Sequence, residues 1–147
     1  MRREDWPSIL TEALAEAKDT PFSWGEFDCL YWTGKTIKRY TDRDPIAECC
    51  KELGLSPDER YYKSAKGMKK LIEKYSFDSF YDMACQMYGS PIKAVQAQRG
   101  DLVMIEVIGT VQRPTLGICR GIDAMFKTLD VTVLIPLAKC TCAWRIS

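Results

Sequence analysis

Histidine is absent from this 147-residue chain, and with it the side chain that most often serves as a general base near neutral pH. The commonest nitrogen ligand for zinc is missing for the same reason. Long apolar runs are lacking too: no stretch approaches the ~20 residues needed to cross a bilayer, so membrane insertion is not expected. Neither sign of charge dominates. The 21 basic residues face 20 acidic ones, for a net charge of +1. That balance gives no electrostatic reason to expect nucleic acid or an anionic membrane as partner. The opening Met1-Arg2-Arg3-Glu4-Asp5-Trp6-Pro7 is basic but lacks the apolar core of a secretory signal, and synthesis and assembly in a cytoplasm are expected.

What is present suits a soluble domain. Hydrophobic residues make up 46% of the chain and charged residues 28%, and a chain this long buries enough surface to fold as one unit, expected over 1–147. Seven cysteines occur, at 29, 49, 50, 85, 119, 140 and 142. An odd number with no secretory signal argues against a disulfide framework. Zinc sites pair their cysteines at short fixed spacings, whereas Cys49-Cys50 and Cys140-x-Cys142 lie far apart in the chain. No metal and no cofactor are therefore expected. A metal cluster that folding assembles from Cys49, Cys50, Cys140 or Cys142 is the weaker alternative.

Helices dominate the first two thirds. Ile9, Leu10, Ala13, Leu14 and Ala17 repeat at helical spacing over 6–18, with Pro7 in the first turn and Pro21 beyond the end. An aromatic-rich loop, 22–28, leads into a second helix from about Asp28 to Tyr40. Asp44-Pro45 opens a third, which stops before Gly54. A lysine-rich helix is predicted from Tyr62 to Tyr75 and a short one over 79–88. From Gly100 the character changes to β-branched and apolar. Strands are predicted over 101–107, 115–119, 124–128, 131–134 and 142–146, with Gly109 and Pro114 marking a turn after the first. Helices first and strands afterwards describe an α+β domain whose helices pack on an antiparallel sheet.

The chemistry centres on Cys29. A cysteine in the first turn of a helix lies at the positive end of the helix dipole, which favours thiolate. A nucleophilic cysteine also needs a proton acceptor, and no imidazole exists to serve. Cys29 has a second reading as a buried thiol on a core-facing stripe, and Asp28 reads as the cap of the same helix. Trp6, Trp24, Trp32 and Trp144 read as core anchors, one or two of which line a groove.

Trp24-Gly25 with Asp28-Cys29 at a helix start, then Gly100-Asp101-Leu102-Val103, then Leu116-Gly117-Ile118, resembles the bacterial cell-wall cysteine peptidases of the NlpC type. The resemblance implies a papain-like fold, with Cys29 at the nucleophile position and Thr115 where the family places its histidine. A threonine hydroxyl does not accept a proton at neutral pH. The chain is also similar to a family of small phage and prophage proteins of unknown function that looks like a reduced branch of that fold. That similarity runs through Asp5-Trp6-Pro7, Pro21-Phe22-Ser23-Trp24-Gly25, Asp44-Pro45, Gln98 to Val103, Leu116-Gly117-Ile118-Cys119 and Ala143-Trp144-Arg145. It implies genes lying among tail genes.

The expected function is accordingly a structural protein of a phage tail, in the tip region, on a catalytically inactive NlpC-type fold. Other tail proteins would be its partners, and the virion tail, assembled in the bacterial host cytoplasm, its location. The candidate docking surface is Tyr62, Lys63, Lys66, Lys69 and Lys70, with Tyr61, Phe80 and Tyr81 as further aromatic anchors. The alternative is an active cysteine hydrolase that cuts peptidoglycan peptides, its base supplied by a carboxylate or a partner subunit.

Overall fold

The computed structural model describes residues 1–109 and 111–147. Among them are five α-helices, α1 (Trp6–Asp19), α2 (Cys29–Tyr40), α3 (Pro45–Leu53), α4 (Ala65–Lys74) and α5 (Phe80–Tyr88). Five strands follow, β1 (Leu102–Ile108), β2 (Val111–Cys119), β3 (Asp123–Lys127), β4 (Thr132–Pro136) and β5 (Cys142–Trp144). The sheet runs in the order β4-β3-β2-β1-β5 with every neighbour antiparallel. This is the α+β arrangement that the patterning predicts.

Local signals set most boundaries. Asp28 caps α2 by accepting the amides of Leu30 and Tyr31. Asp44 accepts the amide of Ala47, with Pro45 first in α3. Ser79 caps α5 on Asp82. The lysine-rich helix is shorter than its pattern suggests. It begins at Ala65, because the Ser64 hydroxyl accepts the Gly67 amide and fixes the start there, so Tyr62 and Lys63 lie outside it.

Alternation along the strands gives the sheet two apolar faces. Leu102, Met104, Leu116, Ile118 and Trp144 face the helices and pack with Leu10, Leu14, Trp32, Ile37 and Tyr40. On the opposite face, Val103, Ile105, Cys119, Ala124, Phe126 and Ala143 are covered by Leu137 and Ala97, which belong to short 3₁₀ segments and their flanks. Gly117 is required in β2. A β-carbon there would lie 2.3 Å from the Met125 carbonyl oxygen and 2.6 Å from the Phe126 ring.

Pro114 is not the turn residue that its sequence position suggests. Ile105 pairs with Thr115 and Val107 with Gln112, so Arg113 and Pro114 together face Glu106 in a β-bulge within β2. A bulge is one of the few places where a sheet tolerates a residue without an N–H.

The two ends of the chain meet at Asp101, whose side chain is fully buried. The Asp101 carboxylate accepts the Arg2 guanidinium at 3.1 Å and Arg145 at 3.2 Å. It also accepts the amides of Gln98 at 2.8 Å and Ile146 at 3.0 Å. Arg2 donates further to the carbonyls of Arg99 and Ile146. Arg99 and Asp101, at the entry to β1, thus fasten both termini.

Candidate functional site

A cleft of about 860 Å³ opens between α4 and the ends of the β1–β2 and β3–β4 hairpins. Its lining is mainly apolar, with Phe22, Trp24, Ile72, Phe77, Leu129 and Val131 among the walls. Cys29 and Thr115 both reach it. The two residues that the family resemblance puts at the nucleophile and histidine positions thus line one cleft. Of the four tryptophans, Trp24 lines this cleft, packed edge-on against Phe22 at 4.9 Å. Trp32 and Trp144 are fully buried in the core.

Cys29 is the first residue of α2, and only 7% of its surface is exposed. Burial pushes its thiol up to about 12, and the neighbouring Asp28 charge raises it further. The Leu116 amide and the Arg113 guanidinium oppose this and do not overcome it. The helix dipole predicts the reverse direction for a first-turn cysteine. Here desolvation wins, and the thiol stays protonated at neutral pH.

Asp28 is the nearest carboxylate, and it is committed elsewhere. It is fully buried and accepts the amides of Gly25 at 3.0 Å, Leu30 at 3.1 Å and Tyr31 at 3.0 Å, together with the Tyr62 hydroxyl. Four donors saturate a carboxylate's hydrogen-bonding capacity. These contacts leave no lone pair for the thiol proton. Burial and the Asp28 charge push the Tyr62 hydroxyl far above its ordinary value, so it remains a donor. The Thr115 hydroxyl proton is committed as well, donated to the Arg113 carbonyl at 3.1 Å.

Tyr62 therefore departs from its expected role as an exposed anchor. It is 4% exposed, held in the core beside Cys29 and Tyr31. The segment that carries it is strapped over the loop before α2. A β-carbon at Gly25 would sit 2.1 Å from the Tyr62 carbonyl oxygen, and Gly25 has a φ of +77°. Arg60 donates to the Trp24 carbonyl at 2.9 Å and pairs with Glu26 at 3.1 Å. Phe80 is buried too, whereas Tyr61 is half-buried and Tyr81 exposed. Lys63, Lys66, Lys69 and Lys70 are all exposed; Lys66 and Lys69 border the cleft.

Two cations at the cleft escape sequence reasoning. Arg113, in the bulge of β2, lies over the Trp24 ring at 5.2 Å. Lys127, on β3, is 4% exposed. Its ammonium donates to the Ala17 carbonyl at 2.7 Å and to the Thr132 hydroxyl at 3.4 Å, both neutral acceptors. Alternation along β3 was the available signal: a lysine between apolar Phe126 and the turn is easily taken for a solvated strand end. Among the described residues, no group of three or more cysteine, aspartate or glutamate side chains gathers as a metal-ligand set.

With this geometry in view, comparison with known families gives one clear result. A family model described as a domain of unknown function, DUF6950, matches residues 1–146. The chain belongs to that family. No curated protein matches the sequence.

Proposed function

We propose that this member of DUF6950 is a structural protein of a phage tail, in the tip region, built on an NlpC-type fold that no longer catalyses. The observation that carries the reading is the state of Cys29. The family resemblance puts it at the nucleophile's position, yet burial raises its thiol and the neighbouring carboxylate accepts from four donors. A positioned general base is worth typically 10²–10⁴-fold in rate, and none reaches this thiol among the described residues. The resemblance to small phage and prophage proteins supports the tail assignment. Its partners would be other tail proteins, met during assembly in the bacterial host cytoplasm.

One feature favours a second reading, an active cysteine hydrolase acting on peptidoglycan peptides. The cleft is open, and Cys29 and Thr115 lie on it together, so a base carried by a partner subunit has room to approach. Digestion of purified muropeptides, followed by mass analysis, separates the two. The isolated chain should leave them intact. Cleavage that is lost in Cys29→Ser would overturn the inactive-fold reading in favour of the hydrolase.

A further inference from the structure

The two edges of the sheet are closed to different degrees. At the β5 edge, Ile92 and Ala143 exchange amide and carbonyl at 2.7 and 3.0 Å, which covers that strand. At the other edge, β4 pairs with β3 alone. Two bonds fix which of its residues face β3: the Thr128 amide to the Val131 carbonyl at 2.9 Å, and the Leu137 amide to the Ile122 carbonyl at 3.4 Å. Facing alternates along an antiparallel ladder. Val133 and Ile135 therefore turn their N–H and C=O groups toward β3, as Val131 and Leu137 do, and Thr132 and Leu134 turn theirs outward. Among the described residues, no backbone group bonds those outward ones.

Folded proteins blunt such an edge with charge, proline or a bulge. Thr132-Val133-Leu134-Ile135 carries no charge, its pairing with β3 is unbroken, and the proline comes only at its end. Leu134 is 47% exposed. The two ends of the strand also complement each other. Exposed Leu129 and Asp130 precede its start, and exposed Ile122 and Lys139 flank its end. Neither Asp130 nor Lys139 has an ion-pair partner among the described residues. A second copy of the strand, laid antiparallel, sets each start beside the other's end. Apolar Leu129 then approaches Ile122, and Asp130 approaches Lys139, twice over by symmetry.

We propose that two copies of this chain pair through β4, antiparallel about a twofold axis at Val133, into one continuous sheet. Pro136 selects the register. With the axis at Val133, Thr132 of each copy lies opposite Leu134 of the other, and the outward N–H and C=O groups of both residues are all bonded. An axis at Leu134 would set Thr132 opposite Pro136, which has no N–H to give. The inference goes beyond the tail assignment and does not depend on it.

Sedimentation equilibrium of the intact chain over a range of concentrations tests it. A reversible equilibrium between monomer and dimer is expected. Leu134→Pro removes an outward N–H and spares the bonds to β3, as proline at an open edge does; the dissociation constant should rise about tenfold or more, each copy losing a hydrogen bond. Leu134→Lys keeps the backbone and sets two like charges close to the axis, and should weaken the dimer likewise. Exchange of the Leu134 amide hydrogen should slow as concentration rises. The proposal is overturned by a monomer at every concentration up to about 1 mM, the weak end of specific association. It is overturned equally by a dimer that neither substitution weakens, or by Leu134 exchange that ignores concentration. Should Leu134→Pro fail to fold, Leu134→Lys and the exchange measurement on the native chain decide.

Discussion

Tyr62 donates its hydroxyl to Asp28, joining the segment before α4 to the residue that caps α2. The same carboxylate thereby caps a helix, anchors a strap and raises the neighbouring thiol. Removing the hydroxyl takes away a hydrogen bond to a charged group in a buried place. Tyr62→Phe should lower unfolding free energy by about 1.5–3 kcal/mol, read from the urea midpoint. A change within error would mean that the contact contributes little and that the strap is held by Arg60 instead.

Cys29 should be slow to alkylate. With its thiol near 12, roughly one molecule in ten thousand carries the thiolate at pH 8, and the thiolate is the reactive form. Iodoacetamide labelling followed by peptide mass mapping should find half-buried Cys85 modified before Cys29. Early, selective labelling of Cys29 would contradict the assignment of a silent thiol.

Stability should fall in alkali. The folded-state thiol of Cys29 is raised from 9.0 to about 12, and those of Cys49, Cys140 and Cys142 to about 11, each by burial first. The folded state therefore prefers the protonated thiols, whereas the unfolded chain ionises its own near pH 9. That preference contributes fully below pH 9 and is lost as pH rises through the folded values. Urea midpoints should decline between about pH 9 and 12. A midpoint that held constant over that window would count against the burial of these thiols.

The clasp of the termini gives a larger expected effect. Asp101→Asn would replace a carboxylate that accepts Arg2, Arg145 and two amides and leave Arg2 without its anion. A loss of about 3–5 kcal/mol is expected, the range for breaking one partner of a buried pair. Chemical denaturation of the purified variant measures it directly.

Much of this was legible from sequence, and the exceptions share a cause. Pro7, Pro45, Asp28, Asp44 and the Gly54 stop act within a turn or two of themselves, so their helices could be read off the chain. The strand order and the two-sided burial of β1 and β3 depend on partners far away. Pro114 signals a turn locally, yet the pairing of β1 with β2 makes it a bulge. Tyr62 resembles an exposed anchor until Asp28, 34 residues earlier, is seen to hold it. Lys127 is the extreme case, since its acceptor at Ala17 is 110 residues away. Cys29 and Thr115, 86 residues apart, were paired in the reading only through a family resemblance, and both line the cleft.

The exposed lysines of α4 offer a test of docking. Lys66 and Lys69 border the cleft and Lys70 is exposed beside them. Charges at an interface rim act mainly on association rate and register, and exposed charges matter little to fold stability. Reversing Lys66, Lys69 and Lys70 together to glutamate should leave the melting temperature nearly unchanged and reduce incorporation into particles. Normal incorporation would remove this helix from the docking surface.

Quantitative mass spectrometry of purified phage particles reaches the central claim most directly. A structural role on a silent fold predicts the chain at a fixed copy number per particle, with Cys29→Ser changing neither that number nor infectivity. Particles that lack the chain, together with loss of infectivity in Cys29→Ser, would contradict the account and return Cys29 to the role of a nucleophile.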